Sequence, residues 1–156
     1  MSTIREQIVQ AIVAALNTDR PDGIPETVRT REESPEPDQL PMLTFYQGDD
    51  DVAPAHKSEP GTGRRHGAVV KRMLVGKLDA LGKAGAVPAD AAVDPLLAWG
   101  TKAIAGAGRL GGLANERPHE VKTEFSYERS DFNYCRATMT WHIEYQTLPD
   151  DAETIE

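Results

Sequence analysis

The chain has one cysteine, Cys135, so neither an intramolecular disulfide nor a zinc site built on thiolates is available to it. A lone thiol in a strand-like stretch fits a small buried apolar residue and a reducing compartment. Long apolar runs are also missing: none approaches the length needed to span a bilayer, which leaves no place for a membrane segment. The opening "MSTIREQIVQ" carries Arg5 and Glu6 where a secretory leader would need an unbroken apolar core, so we expect a soluble protein not exported by signal. Positive charge is scarce as well. Seventeen basic residues face 25 acidic ones, a net charge of −8, which disfavours a nucleic-acid-binding surface and favours cationic partners.

What is present is enough for one compact domain: 156 residues, 39% hydrophobic and 27% charged. The strongest local pattern is "NYCRATMTWHIEYQT", residues 133–147. Cys135, Ala137, Met139, Trp141, Ile143 and Tyr145 alternate with Arg136, Thr138, Thr140, His142, Glu144 and Gln146, which predicts a long antiparallel strand with one buried face and one polar face. The polar face, with Arg136, His142 and Glu144, invites comparison with the floor of an active site.

The N-terminus predicts a helix. Thr3 and Glu6 have capping-box spacing, and Ile4, Ile8, Ile12 and Leu16 form a single stripe. Pro21 and Gly23 end it, and "TVRTRE" reads as a short strand with Arg29 and Arg31 on one face. "EESPEPDQLP" is a turn or an edge. "MLTFYQ", 42–47, is a strand, and residues 48–67 form a long polar loop with almost no apolar content. "AVVKRMLVGKLDAL", 68–81, fits helix and strand templates; its β-branched valines and Gly76, together with the edge that "MLTFYQ" would otherwise leave open, favour a strand. Asp94 and Pro95 mark the expected start of a second helix ending at Gly106, followed by a flexible glycine-rich loop over 106–114. "EVKTEFSYE" and the last strand close a hairpin around "RSDFN", and 149–156 is an acidic tail. The expected fold is therefore α+β, a mostly antiparallel sheet of four to five strands packed by two helices. It forms one domain over 1–148.

Each candidate for chemistry meets a plainer reading. Gly106, Gly108 and Gly111 have the spacing of a dinucleotide-binding fingerprint, but that motif needs a strand before it and a helix after it, and here a helix precedes. No cofactor is expected. Asp49, Asp50 and Asp51, with His56 and His66 in the same loop, could face a hard cation. Consecutive carboxylates diverge, however, and calcium loops space their ligands, so no metal site is expected and a solvated acidic loop is preferred. Arg64, Arg65 and His66, leading into Lys71 and Arg72, are read as a protein contact or a solvated patch in a chain of this net charge. Arg136, His142 and Glu144 lack the spacing of nucleophile, base and orienter, and no serine or second cysteine is placed to join them. No catalytic residues are assigned. Trp99 and Trp141 are read as core.

Taken in order, "IREQIVQAIVAAL", "LPMLTFYQGDDD", a polar loop, an alternating strand, a helix and "FSYERSDFNYCRATMTWHIEYQT" resemble the tail terminator proteins of tailed bacteriophages, the minor tail protein U-like family. The resemblance covers most of the chain. It departs from the family pattern in the longer stretch from Gly48 to Gly67 and in "AGAGRLGGLANERP" before the hairpin, which bears on partner surfaces more than on the fold. It implies a mixed α+β subunit of a hexameric ring that caps the finished tail tube and offers a surface for head joining. It transfers no catalytic residues. The implied partners are further copies of the chain, the tail tube protein and a head-tail connector or neck protein. DNA would pass through the lumen without specific binding, and an acidic wall suits that passage. The implied location is the neck-proximal end of the virion tail, after assembly in the host cytoplasm. Interface candidates on this reading are Asp49, Asp50, Asp51, Arg64, Arg65, Arg136, His142 and Glu144. For the polar face of the last strand, solvent, a neighbouring subunit and the lumen all stay open. Another head-tail connector protein is the nearest alternative function, and a small ligand-binding or enzymatic α+β domain a more distant one.

Overall fold

The computed structural model describes residues 2–29, 37–52, 69–129 and 133–148. Arg31, the 53–67 part of the expected loop, the 130–132 turn and the tail from 149 lie outside the described residues. In chain order the elements are α1 (Ile4–Asn17), β1 (Thr27–Arg29), a 3-10 turn (Pro37–Gln39), β2 (Met42–Val52), β3 (Val70–Lys83), α2 (Ala89–Gly106), a second 3-10 turn (Leu110–Gly112), β4 (His119–Arg129) and β5 (Asn133–Thr147). The α+β expectation holds, and the strands form one five-stranded sheet in the order β1-β2-β3-β5-β4.

α1 starts where its capping residue puts it. Thr3 is extended, and its hydroxyl accepts the amide of Glu6 at 3.1 Å, satisfying one of the donors a helix start leaves free. The reciprocal half of the capping box is not made. Glu6 instead takes two hydrogen bonds from the Arg29 guanidinium, at 2.7 and 3.2 Å, tying the first turn of α1 to β1. These bonds hold the Glu6 carboxyl below its ordinary pKa. Ile4, Ile8, Ile12 and Leu16 are buried, joined by Val9, so the stripe read from the sequence is the face that packs on the sheet. At the other end, Asn17 donates to the Thr27 carbonyl and accepts the Thr27 amide, at 3.0 and 2.7 Å, and so docks β1 beside α1.

The sheet is antiparallel apart from β1, which runs parallel to β2. Its centre is β3 paired to β5 over fourteen residues, from Val70↔Thr147 to Lys83↔Tyr134. That register sets Leu74, Gly76, Leu78 and Ala80 beside Ile143, Trp141, Met139 and Ala137 on the face covered by the helices. Gly76 is required there, because a Cβ would lie 2.6 Å from the Phe45 ring. The alternation along β5 is thus borne out: its apolar set is buried, Cys135 included. Trp99 and Trp141 both join the core. Trp99 also donates its indole N–H to the Leu16 carbonyl at 2.9 Å, which fastens α2 to the last turn of α1.

Three local expectations are corrected. β2 does not stop at Gln47: after a register shift between Gln47 and Asp50, it continues through Val52, pairing Asp50, Asp51 and Val52 with Leu74, Met73 and Arg72. Residues 48–52 therefore belong to the sheet. α2 begins at Ala89, with Pro95 inside it, because Val93 as well as Leu96 is drawn into the core. The glycine-rich segment is an ordered turn: Leu110 and Ala114 are buried, Arg109 Nε donates to the Ala114 carbonyl, and Gly108, Gly111 and Gly112 supply positive φ angles.

Candidate interaction surfaces

The sheet face away from the helices carries the polar residues singled out in the sequence, and it keeps them apart. Arg136 and Glu144 are eight positions apart on one strand, roughly 26 Å at the usual rise per residue, so they cannot converge on one small substrate. Each is engaged locally. Glu144 accepts the Asn115 side-chain amide at 3.2 Å, while its backbone carbonyl accepts the Asn115 N–H at 2.8 Å. His142 stands between them, level with Val75 on β3 and His119 on β4.

Arg136 sits by Asp79, with Nε 3.9 Å from Oδ2, an ion pair too long to be a hydrogen bond. Asp79 is itself a hub that the sequence did not announce. It is nearly buried on the polar face of the sheet, where it accepts the Thr138 hydroxyl at 2.8 Å and the Tyr46 hydroxyl at 3.3 and 3.4 Å. Residues of β2, β3 and β5 are thereby joined across the sheet. Burial, and then the charge on Asp79, push the Tyr46 hydroxyl up to about 12. Beside this cluster, Leu40, Met42, Leu81 and Tyr134 form a small second core on the same side of the sheet.

The aspartate run separates into two roles. Asp49 and Asp51 are exposed, but the Asp50 side chain is only 7% exposed and points into the molecule. It accepts the Tyr145 hydroxyl at 2.6 Å and an Arg5 N–H at 3.0 Å, linking β2, β5 and α1. The expected solvated acidic loop is corrected at this residue. Among the described residues, no group of three or more His, Cys, Asp or Glu side chains is placed to hold a metal ion. Arg64 and Arg65 lie outside the described residues.

Sequence reading passed over an exposed pair of aromatic residues. β4 is the last strand of the sheet, and α2 packs on β3 and β5, so β4 overhangs the helix. Phe125 and Tyr127 pair in register with the buried Ala137 and Cys135 and so face the helix side, yet they are 47% and 59% exposed. With Asp90, Ala91 and Asp94 on the first turns of α2 they line a cavity of about 410 Å³. The signal was there, as Phe125 and Tyr127 share one face of a strand, but only the placement of α2 leaves that face uncovered.

No protein-family model matches the chain, and no curated protein does. Among solved structures, the chain is similar to one described as "Virion of native gene transfer agent (GTA) particle". The two are 16% identical with a TM-score of 0.38, over 93% of this chain and 92% of the other.

Proposed function

We propose that this chain is a structural component of a phage-like virion and, more narrowly, the tail terminator: a ring subunit that caps the end of the tail tube, stops its growth and presents the joining surface to the head. One observation carries the reading. The described elements follow the order that the sequence resemblance implies, an N-terminal helix, an antiparallel strand pair around a polar segment, a second helix and a closing hairpin, in one sheet with helices on one face. The sheet also ends in an eleven-residue strand, β4, whose outer edge is open among the described residues, and an open edge is commonly covered by a neighbour.

In this reading no reaction is catalysed. Capping is mechanical: the ring binds the last ring of tube protein, occludes the site of the next addition and turns its other side to a connector. The polar residues then have architectural work, Asp79 and Asp50 within the subunit, Arg136, His142 and Glu144 on a sheet face available to a neighbour or a lumen. The net charge of −8 suits a passage for DNA, since acidic walls do not retain phosphates. Electron microscopy of the purified protein mixed with cognate tail tubes tests the proposal, with rings at one tube end as the supporting result.

A further inference from the structure

The overhang of β4 lies at the opposite end of the sheet from Val52 and Val70, and the stretch of sequence between those two residues is complementary to it in charge. The cavity beneath the overhang has an aromatic side, Phe125 and Tyr127, and an acidic side, Asp90 and Asp94. The two aspartates are one helical turn apart, and neither has a cationic partner among the described residues. A helix start accounts for one of them, since an acidic residue in the first turn opposes the helix dipole. Asp94 is past that turn, and no ion pair among the described residues accounts for it. An aromatic wall beside two unpaired carboxylates on an open strand edge is a receptor for an extended cationic segment, with guanidinium groups able to stack on the rings as well as pair with the acids.

The chain itself contains such a segment. Residues 53–68 include Lys57, Arg64 and Arg65 against a single acid, Glu59, in a protein that is otherwise acidic. β2 ends at Val52 and β3 begins at Val70, and these two residues lie at the same end of the sheet, Val52 pairing with Arg72. The cavity lies at the other end: Phe125 is level with Ala137 and Ala80, ten residues along β3 from Val70, roughly 33 Å away. Arg64 is six residues from Val70, so its Cα can lie at most roughly 20 Å from it. It must also cross β5 to reach β4. A subunit therefore cannot fill its own cavity with these arginines, whereas a second copy, set head to tail, can.

We infer that the cavity formed by Asp90, Asp94, Phe125 and Tyr127 is the docking site for the Arg64–Arg65 segment of a neighbouring copy of this chain. The contact is heterologous, one patch meeting a different patch, and such contacts close into rings when the rotation between copies permits. The inference rests on the ring reading, to which it adds the contact between neighbours.

A charge swap tests it on the full chain, read by analytical ultracentrifugation and native mass spectrometry, alone and on tail tubes. Asp90→Lys with Asp94→Lys in one variant, and Arg64→Glu with Arg65→Glu in another, should each weaken self-association by about a hundredfold or more through like-charge repulsion. Mixed in equal amounts, the two variants should co-assemble in alternation, because each cavity then meets a segment of opposite charge. Recovery on mixing shows that both variants are folded. The inference is overturned if the cavity variant assembles like the parent, or if the mixture stays dissociated. Loss of tube binding by the cavity variant with self-association intact would assign the cavity to a basic segment of the tube protein, and would equally overturn it. A parent that assembles while the swaps do nothing defeats only this contact; a parent that never assembles defeats the ring reading as well.

Discussion

The Tyr145 hydroxyl donates to Asp50 Oδ2 at 2.6 Å, joining residues 95 positions apart, and the same oxygen accepts the Arg5 guanidinium at 3.0 Å. Tyr145 is buried and Asp50 nearly so, and the other carboxylate oxygen has no hydrogen-bond partner among the described residues. A hydrogen bond to a buried charge contributes more than one between neutral groups. Tyr145→Phe should therefore cost about 2 kcal/mol in urea unfolding, whereas Arg5→Ala, whose side chain is 41% exposed, should cost about 1 kcal/mol or less. A larger cost for Arg5→Ala than for Tyr145→Phe would mean that the ion pair, not the buried hydroxyl, is the principal partner of Asp50.

That bond also sets the alkaline limit of the fold. Burial and the Asp50 carboxylate raise the Tyr145 hydroxyl above its ordinary value of 10.0, and Tyr46 is raised to about 12 by burial and Asp79. Between those values the folded state holds protons that the unfolded state has lost. The stabilisation is thus complete below pH 10 and is lost as pH rises from 10 towards 12. Unfolding midpoints measured from pH 9 to about 11.5 should fall less steeply in Tyr46→Phe and Tyr145→Phe than in the parent. Parallel slopes would show that these hydroxyls titrate normally.

The two indoles should respond differently to the same change. Trp99 Nε1 is bonded to the Leu16 carbonyl, while Trp141 Nε1 is buried with no hydrogen-bond partner among the described residues. Trp99→Phe removes volume and strands a carbonyl; Trp141→Phe removes volume and an unsatisfied donor. Trp99→Phe should be the more destabilising by about 1 kcal/mol or more in thermal or denaturant unfolding. The reverse order would indicate that Trp141 Nε1 has a partner, such as an ordered water.

Gly76→Ala should destabilise by about 1 to 3 kcal/mol, because the new methyl meets the Phe45 ring at 2.6 Å with Ile143 close behind. Adding Phe45→Leu should recover part of that loss. Circular dichroism melts of the single and double variants check it, and additive losses would place the clash elsewhere.

These outcomes divide along what the sequence could express. α1 and β5 were legible because their burial patterns, Ile4-Ile8-Ile12-Leu16 and Cys135 to Tyr145, are local periodicities that the sheet and helix packing simply fill. The start of α2 was not, since Asp94-Pro95 is a strong local signal for a helix N-terminus and loses to the burial of Val93, a tertiary effect. Asp49 to Asp51 read as a loop because the partners that bring Asp50 inside, Arg5 and Tyr145, are 45 and 95 positions away. Among the candidate site residues, the polar set on β5 was placed on the correct face. Its dependence on Asp79, and the exposed Phe125–Tyr127 edge, needed the strand order, which periodicity does not encode.

The central claim is that the chain closes into a ring that ends a tube. Cryo-electron microscopy of cognate tail tubes assembled with and without the purified protein tests this most directly. The account predicts a closed ring of sixfold symmetry on one end of each tube, and tubes that stop growing once capped. A protein that stays monomeric in the presence of tubes, with tubes that elongate as though it were absent, would contradict it.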